Sequence, residues 1–498
     1  MNGLAIEHLL LIASIFLLLG IIASKAAARS GVPALLLFLG LGMIAGSDGL
    51  GIPFDSPSIA QGIGTVALAY ILFSGGLDTQ WREIKPVLRQ GLILATVGVT
   101  LTALLVGVFA WGVLGFTLAE GILLGAIISS TDAAAVFAIL RGRGVNLRGR
   151  LKPLLELESG SNDPMAIFLT IGMIQLVADP TLPVTSLIPL FMLQMGVGAV
   201  VGLFSGRLIV AAVNRLRLDY DGLYPVLTIA LVMLIYGAAA AVGGSGFLAV
   251  YLAGLVMGQK DFIHRRSLLD FHDGLAWLMQ IVMFVTLGLL VFPSQLPAVA
   301  GAGLAVALFL IFVARPVSVW IGLYFSRMTL REKHFVAWVG LRGAAPIVLA
   351  TFPLVAGLDQ ANTIFNLVFF IVLMSVLLQG TLIVPVARLL KVYGTRVPQP
   401  VSPLSEVLRD GTLTNELIEI TVPAASPAVG QRLLDLKLPP GALVVLIGRN
   451  DDVMVPNGST EILANDHVLI LAASDVRDAV CSQLEQAVGY PRMLGAAS

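Results

Sequence analysis

From Ile6 to Leu389 the chain is one apolar run after another, most of them long enough to cross the ~30 Å hydrocarbon core of a bilayer as a helix. The runs lie near 6–24, 32–47, 60–77, 91–114, 119–140, 154–178, 184–206, 223–242, 246–258, 272–291, 297–325, 332–355 and 361–389, thirteen in all. The run at 246–258 is short and reads as a tilted or partly broken element. The first run has no basic segment before it and no small-residue cleavage site after it, so it reads as a span and not as a signal peptide. Charge in the connections tests the count. After odd-numbered spans stand Lys25 and Arg29; Arg82, Lys85 and Arg89; Arg141, Arg143, Arg148, Arg150 and Lys152; and the later clusters around Arg207, Lys260, Arg327 and Arg388. Connections after even-numbered spans hold no Lys or Arg. A miscounted span would scramble this alternation. The positive-inside rule then puts the N-terminus outside and the C-terminus in the cytoplasm; the inner (cytoplasmic) membrane is the expected location.

Only 12% of residues are charged, about half the ~25% of a soluble domain. Formal net charge is zero, so nothing points to a nucleic-acid partner. The lone cysteine, Cys481, excludes an intramolecular disulfide and a cysteine metal site. No cofactor motif is present.

Against this background, carboxylates in mid-span demand a reason. Span 5 is interrupted at Ser129-Ser130-Thr131-Asp132, and span 12 at Gly340-Leu341-Arg342-Gly343 with Pro346 close behind. Shifting the first six spans by seven lands span 5 on span 12, and because seven is odd the two six-span units have opposite orientation. Interrupted segments at matching places of inverted repeats point to a transporter's site, since unwound backbone survives at membrane depth only where it lines a cavity or is buried in protein. Asp132, Glu158, Asp163 and Arg342 all lie well inside apolar runs, where a charge costs roughly 2.5–3.5 kcal/mol on insertion scales and usually marks function. Glu158 and Asn162 share a helical face, whereas Asp163 lies about 140° round from Glu158 and serves a different partner. One acid paired with Arg342 is structural; the others are free for an ion. A carboxylate withdrawn from water holds its proton more tightly, and oxygen ligands suit a hard alkali cation. Carboxylate, hydroxyl and freed carbonyl together are chemistry for exchanging H⁺ against Na⁺ or K⁺.

"STDAAAVF", "ELESGSNDP" and "GLRGAAP", in this order and spacing, resemble the monovalent cation:proton antiporters that include bacterial Na⁺/H⁺ antiporters and mammalian Na⁺/H⁺ exchangers. The resemblance covers residues 1 to about 390. It implies that Asp163 is the ion- and proton-binding carboxylate. Thr131 and Asp132 would complete the site on the unwound helix, Ser159 would line it, and Asn162, Glu158 and Arg342 would form a stabilising polar cluster. It also implies a homodimer in which a dimerisation part carries a mobile core. The pair before Pro164 is Asn-Asp where electrogenic relatives carry Asp-Asp, which implies electroneutral one-for-one exchange. Asp78 and Glu156 are candidates for the cytoplasmic funnel. Arg315, beside an Ala-Arg-Pro break, reads as a structural partner or as snorkelling toward the interface. The five histidines are scattered, without metal-ligand spacing.

Past a Pro-rich linker the pattern changes to short alternating strands in "NELIEITVP", "GALVVLIGRN", "DVMVPNGSTEIL" and "DHVLILAA". A small helix is expected over "SPAVGQRLLDLKLP" and a closing one over "DVRDAVCSQLEQAV". This α+β module resembles the C-terminal half of regulator-of-potassium-conductance domains, the TrkA-C domain, which implies a small regulatory ligand and tilts the cation toward K⁺. The expected organisation is therefore an all-α polytopic membrane domain over 1–392, a linker over 393–408 and a TrkA-C-like domain over 409–490. The function expected is cation:proton antiport serving cation and pH homeostasis, not an enzyme. Two rivals remain. An intramembrane aspartyl protease using Asp132 and Asp163 is one, poorly served by Asn162, Pro164 and Arg342. A cation channel is the other, disfavoured by a single titratable carboxylate at the site.

Overall fold

The computed structural model describes residues 6–30, 33–394, 415–424, 426–449, 452–473 and 476–484. The chain divides into two units, Met1–Thr395 and Arg396–Ser498. Residues 395–408 of the expected linker lie outside the described residues, while Tyr393 and Gly394, its first two, pair antiparallel with Leu147 and Asn146.

The first unit is helical. Among the described residues, eight helical stretches are long and apolar enough to cross a membrane, including Pro57–Asp78, Trp81–Leu114, Val184–Arg215, Arg265–Leu289, Pro293–Gly322 and Ala361–Leu389. Ala34–Ala45, Leu118–Ile127, Gly246–Gly258 and Ala344–Ala356 are shorter apolar helices. Leu151–Ala178 is 28 residues long and fails only on polarity, because Glu156, Glu158, Asn162 and Asp163 sit along it. Gly246–Gly258 is one unbroken helix, capped by Ser245, which removes the partly broken alternative. It stays whole because glycines let its neighbours close in. Gly254 and Gly258 pack on the backbone of Phe73 and Leu77, and Gly202 of the helix Leu187–Arg215 lies with its absent Cβ 2.6 Å from the Ala249 carbonyl.

Two of the long helical stretches carry a single wide turn, Leu94–Gly98 and Leu310–Ala314. Such π-turns cost a regular hydrogen bond and recur near functional sites. Four residues past each turn a hydroxyl donates back to its last carbonyl, Thr102 to Gly98 and Ser318 to Ala314, both at 2.7 Å. The two hydroxyls meet at 3.0 Å. A third π-turn, Val376–Gly380, lies in the last span.

In the second unit four strands form an antiparallel sheet in the spatial order Asn415–Thr421, His467–Ala473, Ala442–Arg449, Asp452–Met454. Ile418, Ile420, Ile447, Val468 and Ile470 make its core with Val480 and Leu484 of the helix Arg477–Leu484. The helix expected over "SPAVGQRLLDLKLP" is replaced by turns. Several of its amides are drawn sideways: Gly430 donates to Ile462, Leu433 to Thr460 and Leu434 to Gly458, while Leu436 donates four residues back to Arg432 and the remaining local bonds are turns such as Asp435 to Arg432. Gly430, at φ +83°, turns the chain where a helix would need φ near −60°.

One ion pair locks this unit. Arg449 donates from Nε and Nη2 to the two oxygens of Asp466 at 2.8 and 2.7 Å, and the Leu463 amide donates to Oδ2 at 2.8 Å. Burial pushes the Asp466 carboxyl up, but the Arg449 hydrogen bonds, the Leu463 amide and the nearby positive charges outweigh it and hold the group below its ordinary value. A depressed carboxylate contributes stability above its unfolded value of about 3.9 and loses it as pH falls through the lower folded value. Arg449→Ala is therefore expected to destabilise the sheet by about 1–3 kcal/mol at pH 7, and by progressively less below pH ~4. Hydrogen exchange of the strands Ala442–Arg449 and His467–Ala473 in the full-length protein measures it. A loss that does not shrink in acid would rule out the ion pair as its source.

Candidate functional site

Both interruptions expected in the sequence are present, and they meet. The first lies between the helices Leu118–Ile127 and Ala133–Gly142, the second between Leu330–Trp338 and Ala344–Ala356. The Asp132 amide donates to the Leu341 carbonyl at 2.8 Å, one unwound strand to the other. Gly343 makes the approach feasible: a Cβ there would lie 2.7 Å from Asp132 Cγ. Four half-helix ends thus face the crossing, and their dipoles place partial charges of both signs inside an apolar unit.

The helix Leu151–Ala178 staples the first break. Ser159 Oγ donates to the Thr131 carbonyl at 2.9 Å and accepts from the Ala133 amide at 3.0 Å. Asn162 Nδ2 donates to Thr131 Oγ1 at 2.6 Å. Asp132 caps the second half-helix, Oδ1 accepting from the Ala135 amide at 3.0 Å. Asp163 is 7% exposed, with the Ser130 hydroxyl in hydrogen-bonding reach and Asp132 close enough to repel it. Thr131, Asp132, Ser159, Asn162 and Asp163 are therefore one cluster. Ser130, within the motif but not singled out, joins them.

Two oxygens in this cluster stand out. Asp163 Oδ1 and Asn162 Oδ1 are buried acceptors with no hydrogen-bond donor among the described residues. A buried acceptor left unsatisfied costs roughly 1–3 kcal/mol; a proton would relieve the Asp163 carboxylate, and a cation could relieve either oxygen.

The pairing of Glu158 differs from expectation. Its carboxylate contacts Arg315 Nη1 at 2.6 Å, with both side chains buried. Arg342 is 0% exposed and lies within electrostatic reach of Glu158, but its three guanidinium nitrogens make no hydrogen bond among the described residues. Its backbone amide is held by Ser375 Oγ at 3.1 Å, and Ser375 in turn by Gln379 Oε1 at 2.6 Å. The physical reason is room. Arg315 crosses the second break at Gly340, where a Cβ would lie 2.7 Å from its Nε, and so reaches Glu158 first. The Ala-Arg-Pro signal beside a polar break marked Arg315; its partner was not readable.

Asp78 and Glu156 stay out of the cluster. Glu156 pairs with Lys152 at 3.6 Å and has Glu83 and Asp78 nearby, while Asp78 is surrounded by Asp273, Arg141, Arg265 and Lys152. Both belong to the end of the unit that carries the basic loops. His272 is buried, its Nε2 2.9 Å from Thr228 Oγ1 and its ring against Phe73. No group of three His, Cys, Asp or Glu suited to a bound metal ion occurs among the described residues.

Comparison with known proteins gives the same regions weight. Residues 12–389 match the family model for the transmembrane sodium/hydrogen exchanger, and residues 417–485 that for the TrkA-C domain. The K(+)/H(+) antiporter NhaP2 of Shewanella baltica is 40% identical over 491 residues, 98% of this chain and 84% of that protein. The K(+)/H(+) antiporter NhaP of Alkalimonas amylolytica is 40% identical over 95% of this chain and 83% of its own length. Na(+)/H(+) antiporter 1 of Methanocaldococcus jannaschii is 30% identical over 73% of this chain and 92% of that protein. The structure of the sodium proton antiporter MjNhaP1 from the same organism superposes with a TM-score of 0.67 at 28% identity, covering 77% of this chain and 99% of that one.

Proposed function

Because this chain belongs to the sodium/hydrogen exchanger family, we propose that it is a secondary antiporter exchanging one monovalent cation for one H⁺, with Asp163 as the carboxylate that carries either. The observation that supports this most directly is the pair of donor-less acceptor oxygens, Asp163 Oδ1 and Asn162 Oδ1, beside the crossing of two broken helices. Thr131, Asp132, Ser130 and Ser159 supply further oxygens and hold the break open. A site with one exchanging carboxylate takes a cation or a proton in turn and never both, which makes the exchange electroneutral. Competition at one carboxylate is coupling enough; no reaction is catalysed, and the protease reading has no support in the family.

K⁺ is the favoured cation. The two relatives named K(+)/H(+) antiporters match this chain over its tail as well as its helices, whereas the relative named Na(+)/H(+) antiporter matches 73% of it. Thirteen spans in inverted six-helix repeats are supported by the paired breaks and by the matching π-turns at 94–98 and 310–314, seven spans apart. The orientation read from the basic loops puts the tail on the cytoplasmic side of the inner membrane, with Asp78 and Glu156 at the funnel mouth. In this reading the domains run 1–392 and 409–490, the protein is a homodimer, and a small ligand on the tail regulates exchange.

The test is proton flux in everted vesicles challenged separately with K⁺, Na⁺, Li⁺ and Rb⁺. Flux with K⁺, and an exchange rate unchanged when a membrane potential is imposed at clamped pH gradient, are expected. Flux with none of the four rejects antiport. A rate that tracks voltage would mean that a second carboxylate, Asp132 or Glu156, carries charge.

A further inference from the structure

Glu156, Gly160 and Asp163 lie within about 60° of one another around the helix Leu151–Ala178, at roughly 0, 6 and 10 Å along its axis. They make a single face leading from the basic-loop end to the site carboxylate. That face is occupied. The phenol of Tyr251, on the helix Gly246–Gly258, lies where a Gly160 side chain would be: a Cβ there would stand 2.6 Å from Tyr251 Cζ and 2.8 Å from its oxygen. Tyr251 is 2% exposed. Its hydroxyl faces Ser161 and Thr79, yet it makes no well-aligned hydrogen bond among the described residues. Thr79 Oγ1 already donates to the Gly75 carbonyl at 2.6 Å, so toward the phenol it is only an acceptor. Glu156 lies within electrostatic reach of the phenol. The helix bearing Tyr251 is itself clamped by Gly76 and Gly254 to Pro57–Asp78, so the ring is carried by rigid neighbours and not by a loop.

We propose that Tyr251 is a further residue of the ion path, whose ring closes the Glu156–Gly160–Asp163 face and whose hydroxyl is a ligand for the dehydrated cation passing between the two carboxylates. This deepens the antiport reading and rests on it. A phenol suits the task because the ring blocks water while the oxygen, buried and without an aligned partner, coordinates a hard cation at little cost in broken hydrogen bonds. Gly160 is then glycine for a functional reason: any side chain there would displace the ring. Movement of Leu151–Ala178 past Gly246–Gly258 by part of a turn would carry Asp163 across the ring and open the face.

The ring and the hydroxyl are tested separately. With Cys481→Ser as background, Asp163→Cys is exposed to a cationic, membrane-impermeant methanethiosulfonate from the basic-loop side. Labelling is expected to accelerate by about tenfold or more when Tyr251→Ala is added, and to stay slow with Tyr251→Phe. Tyr251→Val replaces the alanine variant if that one is not monodisperse in detergent. With Asp163 intact, Tyr251→Phe is expected to raise the KM for the cation about three- to tenfold, the value of one hydrogen-bond-strength contact, with little change in kcat. Equal labelling rates in the tyrosine and alanine proteins would overturn the ring's role, and an unchanged KM would overturn the hydroxyl's. Labelling needs no transport, so failure of the antiport reading shows itself apart, as wild-type vesicles without cation-dependent proton flux.

Discussion

Asp163→Asn is expected to reduce exchange to background at every pH while leaving a folded, membrane-inserted protein. The amide is nearly isosteric with the carboxyl, so the helix Leu151–Ala178 and its staples to Thr131 and Ala133 keep their geometry. What is lost is the charge. An amide neither titrates nor neutralises a cation, and a dehydrated monovalent ion in an apolar unit with no carboxylate beside it is strongly disfavoured. Asp132 does not substitute, because one of its oxygens is engaged by the Ala135 amide and its side chain is boxed by Gly343. Reconstituted proteoliposomes assayed with K⁺ and with Na⁺ across pH 6–9 decide the matter. Near-normal exchange at any pH would transfer the role to another acid.

The second large effect belongs to Arg315. Truncation to alanine strands Glu158, whose side chain is 1% exposed, without its contact partner. Breaking a buried pair from one side costs about 3–5 kcal/mol, whereas replacing both members with apolar groups of similar volume is often neutral. Arg315→Ala is therefore expected to lower the melting temperature in detergent sharply, and Arg315→Met with Glu158→Met to recover most of it. Arg342→Met should cost less than Arg315→Ala, since the Arg342 side chain gives up no hydrogen bond. Transport is expected to fall with Arg315→Ala, because Arg315 also crosses the second break at Gly340. An Arg315→Ala protein that melts like wild type would remove the pair from the structural frame.

Much of this was legible in the chain itself, and the reason is the solvent. In a bilayer every run of about twenty apolar residues reads as a span, so the apolar runs and their basic connections need no tertiary information. The same medium makes Asp132, Glu158, Asp163 and Arg342 conspicuous, since a charge at that depth is costly enough to require a role. Breaks were legible for a similar reason: Ser-Ser-Thr-Asp and Gly-Leu-Arg-Gly interrupt otherwise uniform hydrophobicity. Local signals failed where the backbone had a choice of partners. "SPAVGQRLLDLKLP" has helical composition, yet three of its amides donate to the 458–462 segment and its local bonds are mostly turns. The short run at 246–258 looked breakable, and close packing through Gly202, Gly254 and Gly258 keeps it whole.

Residue types and spacing alone determined that this is a many-spanning helical protein with a small α+β tail, and that its polar residues converge on two broken helices. Only the tertiary structure decided who partners whom. Glu158 could choose between two arginines, and Gly340 gave Arg315 the shorter reach. Thr102 and Ser318, 216 residues apart, meet across a helix interface, each just past a π-turn. The ring of Tyr251 packs where a Gly160 side chain would stand, a contact between two helices that neither segment announces alone. Partition into lipid is a property of each segment taken singly, so it can be read along the chain. Pairing inside the bundle depends on which side chains are missing across a helix interface, and that is a property of two segments at once.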